Sequence, residues 1–288
     1  MAAPNDPIHI FIDETGTLSN AKVNGHYGIG WVCLLESQVA VAESLLKKAG
    51  LSNLHMKKIR ASRKLKAAHQ IASANLIQTE LMGGTLIRKD PDFAKNFVEK
   101  NFYKTAIEYP EWFIASSPVA ASTTEILSPS QLLPERYKQM IKVIRLQEAA
   151  LIATRYPLFA AIKKYGIRDI HFHLSAVIDS KMHGEAVNSI RSKILPGLNE
   201  LLQSLVNSGT LNFIGPIIPG EISINVVSKS DDLFVLSDFF AFIGDYTVSS
   251  DPSKQAIADQ AYQLTKDLFM PSLGMNAVEL KPGIFVRD

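Results

Sequence analysis

The segment Ile8–Ile12 is a short run rich in β-branched and aromatic residues that ends on two acids, Asp13 and Glu14. A run of that length and composition predicts a buried strand, and it delivers a carboxylate at its tip. The next stretch carries Gly16, Ser19, Asn20 and the pair Asn24-Gly25, all turn formers, before a second apolar run from Tyr27 to Leu35. The chain therefore opens as a β-hairpin whose first strand ends in acid, and every later element must be compatible with that hairpin.

Beyond it, apolar residues at helical spacing predict a helix over Val39–Lys48 stopped at Gly50, then a strongly basic helix over Ser62–Gln78 and a third strand over Leu81–Arg88. The pattern is helical from Pro91 to Tyr109, loop-like from Pro110 to Pro129, and helical again from Glu135 to Lys164. A strand over Ile167–Ile178 ends at Asp179, and a helix spans roughly Gly184 to Val206. A strand pair (Leu211–Ile218, Ile222–Val227) and helices over Asp232–Tyr246 and Ser253–Phe269 complete the series. Strands alternating with helices after an initial hairpin predict an α/β fold, a mixed sheet flanked by helices. With 288 residues, 47% of them hydrophobic, the chain can bury one large core. We read 1–288 as a single domain with a helical insertion at approximately 91–165.

Composition narrows the functional classes. Cys33 is the only cysteine, which excludes an intramolecular disulfide framework and a cysteine-based zinc site, fits a reducing cytoplasm, and in its apolar setting predicts core packing. The segment Met1–Pro7 lacks the basic start and apolar stretch of a secretion signal, and Phe234–Ile243 is interrupted by Asp238 and too short for a bilayer core of about 30 Å. A cytoplasmic location with no membrane span is the expectation. The net charge of +2 is too small for a nucleic-acid coat, so any polynucleotide must meet a local patch. The segment 57–66 is such a patch, with Lys57, Lys58, Arg60, Arg63, Lys64 and Lys66 and no acid. Trp31 and Trp112 are assigned to packing.

Three acids stand where one site can gather them: Asp13 and Asp179 at strand tips, and Asp238 inside an apolar helix where its charge needs a partner. Hard divalent cations such as Mg²⁺ or Mn²⁺ take oxygen ligands, and carboxylates on rigid elements suit phosphoryl chemistry. Glu14 is a weaker ligand candidate, and His55, amid the basic run, is a candidate to position or protonate a leaving group. His171 and His173, two apart on one strand, share a face at a spacing suited to a transition metal, but a site there needs a third ligand that the sequence does not locate.

The segment Ile10-Phe11-Ile12-Asp13-Glu14-Thr15-Gly16 resembles the D-E-[ST]-G opening of the family called domain of unknown function 3800. Ser228-Lys229-Ser230 followed by Leu236-Ser237-Asp238-Phe239 is similar to that family's closing pattern, with Ser237 in place of alanine. Asn53-Leu54-His55 resembles its acidic-x-His element with Asn53 in place of the acid, and Asp179 resembles its internal acidic strand end. The resemblance implies a ribonuclease-H-like fold and a metal-dependent nuclease, in phage defence or beside mobile elements. On that basis Asp13, Asp179 and Asp238 are the metal ligands, with Glu14 and His55 as auxiliaries. The partners it implies are DNA or RNA, a second copy of the chain, or a defence-system protein. Two alternatives stay open. The substitution at Asn53 suits a non-catalytic binding or regulatory partner of the same fold. Asp13-Glu14-Thr15-Gly16-Thr17-Leu18 also resembles the opening of haloacid-dehalogenase-type phosphatases, where Asp13 would be the nucleophile, although Gly244-Asp245 and Asp251 have the wrong spacing for the later acidic motif of that class.

Overall fold

A computed structural model describes residues 6–15, 27–52, 54–88, 157–175 except 159 and 167, 196, 222–227, 232–270 and 278–287. They form a seven-stranded mixed sheet of order β5-β4-β1-β2-β3-β7-β6. The strands are β1 (Ile8–Thr15), β2 (Tyr27–Leu35), β3 (Met82–Arg88), β4 (Ile170–Ser175), β5 (Ile222–Val227), β6 (Val278–Lys281) and β7 (Ile284–Arg287). The expected hairpin is present: β1 pairs antiparallel with β2, Asp13 standing opposite Gly30, and β2 pairs antiparallel with β3. On the other side of β1 run β4 and then β5, both parallel to it. Beyond β3, β7 is parallel and β6 turns back antiparallel at Pro282-Gly283. The sequence reading did not anticipate this C-terminal hairpin, because its strands are only four residues long and Glu279 and Lys281 dilute the apolar signal.

Both faces of the central strands are buried, as a helix-flanked sheet demands. Ile8, Ile10 and Ile12 share one face with Trp31, Cys33, Phe172 and Leu174, all nearly inaccessible. Helical residues 157–158 and 160–165 reach this face, where the Tyr165 hydroxyl donates to Cys33 O of β2 (3.4 Å) and to Glu80 O before β3 (2.6 Å). The opposite face carries Phe11, Val32 and Leu34 and packs on helices α1 (Glu36–Lys48), α2 (Ala61–Ser73), α3 (Phe234–Thr247) and α4 (Pro252–Thr265) in one apolar cluster.

Three helix boundaries depart from expectation. Helix α1 starts three residues early, at Glu36, because Asp6, far upstream, caps it: Ser37 N donates to Asp6 Oδ1 (3.0 Å) and Ser37 Oγ to Asp6 Oδ2 (2.5 Å). Helix α2 stops at Ser73 instead of running to Gln78. Asn75 adopts φ 54, a left-handed conformation that asparagine tolerates, and a 3₁₀ turn at Leu76–Thr79 follows. Helix α4 starts as read, with Asp251 accepting from Ser253 N (2.9 Å) and Pro252 in the first turn, but passes into a 3₁₀ turn after Thr265. The readings at 91–156, Gly184–Val206 and Leu211–Ile218 lie outside the described residues.

Helix α3 is buried from Phe234 to Gly244 without a break, as its apolar circumference requires. It lies across β1, β2 and β3 on the Phe11 face. Phe234 meets Phe11 edge-on at 5.5 Å between centroids, and a Cβ added at Gly30 would stand 2.1 Å from Ser237 O and 2.3 Å from Ala241 N. Only glycine lets the two backbones approach so closely. No helix among the described residues is long and apolar enough to cross a membrane.

Candidate functional site

Asp13 and Asp238 come to the same face of the sheet. Cross-strand partners share a face, so the Asp13 side chain emerges on the side where Gly30 meets Ser237 and Ala241 of α3. Two residues along β1 separate Phe11 from Asp13, and one helical turn separates Phe234 from Asp238, advances of roughly 7 and 6 Å. Both acids therefore lie on the face that carries the Phe11–Phe234 contact. Both are almost fully buried, Asp13 1% and Asp238 3% exposed. Asp238 Oδ2 accepts a hydrogen bond from Met56 N at 2.8 Å. The partner that its burial demanded thus includes a backbone amide.

That amide belongs to the loop that carries His55 and opens the basic run. His55 caps the 3₁₀ turn Met56–Lys58 and is half-buried, so one peptide separates it from the group that binds Asp238. Lys57 lies in the same turn, and Lys58, Arg60, Arg63 and Lys66 expose their side chains there and along α2. Lys64 departs from the expected phosphate-binding set. It is buried, its ammonium donates to Tyr246 Oη (2.7 Å), and it lies over the Phe242 and Tyr246 rings at 4.8 and 4.1 Å. Helical spacing turns Lys64 inward against α3 while Arg63 and Lys66 look outward, and Arg60, in extended conformation just before the helix, is exposed. Beside them a cleft of about 510 Å³ between α1 and α2 is lined by Lys48, Lys66, His69 and Gln70.

Glu14 stands in β1 opposite Ile29, and Asp179 lies beyond the described residues. Among the described residues no group of three or more His, Cys, Asp and Glu side chains is arranged to hold a metal ion. The two aspartates nevertheless fit the oxygen chemistry of Mg²⁺ or Mn²⁺, being buried carboxylates on rigid elements of one face. Cys33 is a core residue as read; burial pushes its thiol up to about 12, which removes it as a nucleophile.

The sequence reading missed one feature of this face. His9, in β1, stands in register with His171, and Phe11 with His173. His173 stacks on Phe11 at 4.5 Å, and its Nε2 shares a hydrogen bond with His9 Nδ1 at 2.8 Å. The period-two spacing His9-Phe11-Asp13 was the available signal, but only the parallel β1–β4 pairing brings the histidines of the two strands together.

No protein-family model matches this chain, and no curated protein matches its sequence.

Proposed function

We propose that the chain is a divalent-metal-dependent nuclease of ribonuclease-H-like fold. One observation carries the reading: a central strand ends in a buried aspartate, and a second buried aspartate, on a helix crossing that strand, lies on the same face. The sheet is compatible with the fold, with three antiparallel strands β1-β2-β3 and two strands, β4 and β5, parallel to β1 on its far side. Asp13 and Asp238, joined by Asp179, which lies outside the described residues, would hold Mg²⁺ or Mn²⁺, which supplies charge stabilisation at a phosphodiester oxygen. Within the chain, the Met56 amide orients Asp238, His55 stands beside it to position or protonate the leaving oxygen, and Lys58, Arg60 and Arg63 hold backbone phosphates.

Purified wild type is expected to cleave at least one of single-stranded DNA, duplex DNA, RNA or hybrid in Mn²⁺, and Asp13→Asn and Asp238→Asn to lose at least a hundredfold in rate. Equal behaviour of wild type and Asp13→Asn on all four would end the catalytic reading.

The Met56–Asp238 hydrogen bond also favours a second reading, in which the carboxylates pin the fold of a binding or regulatory partner. Calorimetric titration with Mn²⁺ separates the two, since this reading gives no saturable heat that depends on Asp13 and Asp238.

A further inference from the structure

The cleft between α1 and α2 shares no residue with the aspartate site. Its volume of about 510 Å³ lies within the range of small-molecule pockets, roughly 300–1,000 Å³. Lys48 enters it from the last turn of α1. From α2 come Lys66, His69, Gln70 and Ser73, whose spacings of three, four and seven residues put them on one helical face. Gln70 Nε2 donates to Ala49 O (2.6 Å) and so ties the end of α1 to the facing wall. Leu45, Ala49 and Ala74 supply the apolar part of the lining.

The described lining carries two ammonium groups and no carboxylate. Among the described residues neither Lys48 nor Lys66 forms an ion pair, and both side chains are exposed. Lys48 also offsets the carbonyl end of the α1 dipole, but Lys66 stands in the middle of α2, where the dipole gives a cation no role. A concave, preformed site with two unpaired cations on facing walls is complementary to an anion. A bare inorganic anion leaves the imidazole, the hydroxyl and the apolar wall unused, and a duplex is too large to enter.

We propose that the cleft binds one nucleotide, either free or as a unit of a single strand, by its phosphate and base together. Lys48 and Lys66 hold the phosphate through charge-assisted hydrogen bonds from opposite walls. The exposed His69 ring offers the base a stacking surface, and the Ser73 hydroxyl and the Gln70 amide oxygen offer hydrogen bonds to its edge. Leu45, Ala49 and Ala74 remove apolar surface of the ligand from water. The site needs no metal and rests on no part of the nuclease reading.

The test is calorimetric titration of the full chain in EDTA, where no metal-dependent cleavage occurs. The probes are the ribonucleoside monophosphates, their parent nucleosides and a short single-stranded oligonucleotide. At least one monophosphate is expected to saturate a single site about tenfold or more tighter than its nucleoside. Lys48→Ala/Lys66→Ala, at exposed side chains and so safe for folding, is expected to remove that advantage. His69→Ala is expected to weaken monophosphate binding about fivefold or more. Asp13→Asn/Asp238→Asn is expected to leave it unchanged, so this site and the nuclease reading fail separately. An oligonucleotide that binds tighter than the monophosphate, and loses that gain in Arg60→Ala/Arg63→Ala, identifies the ligand as a strand, whereas equal affinity identifies a free nucleotide. The site is overturned if neither the monophosphates nor the oligonucleotide bind saturably, or if binding is unchanged in Lys48→Ala/Lys66→Ala.

Discussion

Asp238 separates structural from catalytic demand within one side chain. Its Oδ2 holds the Met56 amide in a place almost closed to water, so deleting the carboxylate leaves a buried donor unpaired. Asp238→Ala is expected to cost about 1–3 kcal/mol in urea unfolding, and Asp238→Asn, which keeps an acceptor oxygen, less than about 1 kcal/mol. Both are expected to abolish cleavage equally. Activity that instead tracks stability across the pair would show that the residue only holds the fold. Cys33 provides a control at the same scale. Its folded pKa of about 12 lies above the ordinary 9.0, so the protonated thiol is favoured in the native state. The stability this contributes is intact below pH 9 and is lost as pH rises from 9 towards 12. At about pH 8 the thiol should label with a disulfide reagent only as fast as the chain opens, and full labelling in urea provides the reference.

At the scale of elements, much of the site's placement depends on how closely α3 can approach the hairpin. The Cβ of alanine at position 30 would meet two backbone atoms of α3, which cannot swing aside as a flexible side chain can. Gly30→Ala is therefore expected to lift α3 from β2, at a cost of about 2–3 kcal/mol by overpacking. It should also impair cleavage, although residue 30 has no side chain to offer a substrate. Normal activity at wild-type stability would show that the approach is not needed. Sequence reading found the hairpin, Asp13, Asp238 and the strand at Ile222–Val227 because each is written in local pattern: an apolar run, a turn, or an acid in an apolar helix. It missed contacts made between elements distant in the chain, such as Asp6 capping α1, Met56 holding Asp238, and His9 meeting His173. Its misplaced end for α2 has the same origin as its missing C-terminal hairpin, since one asparagine in a left-handed turn and two four-residue strands are weak signals beside a helix-length periodicity.

For the molecule as a whole, a net charge of +2 means that polynucleotide affinity must come from where the charge sits. The described basic side chains divide by geometry: Lys58, Arg60, Arg63 and Lys66 are exposed on the turn and α2, while Lys64 is sealed against Phe242 and Tyr246. Phosphate contacts release counterions, so each cation that truly meets duplex backbone contributes about 0.9 to the slope of log affinity against log salt. Arg60→Ala/Arg63→Ala is expected to flatten that slope by about 1.8 for catalytically dead protein on duplex DNA, and Lys64→Met to leave it unchanged. The sealed lysine should instead register in stability, because its replacement removes the bond to Tyr246 and the two ring contacts. If Lys64→Met flattened the slope while Arg60→Ala/Arg63→Ala did not, the polynucleotide would have to bind on another face. Neither Lys58 nor the cleft beside Lys66 would then belong to its path.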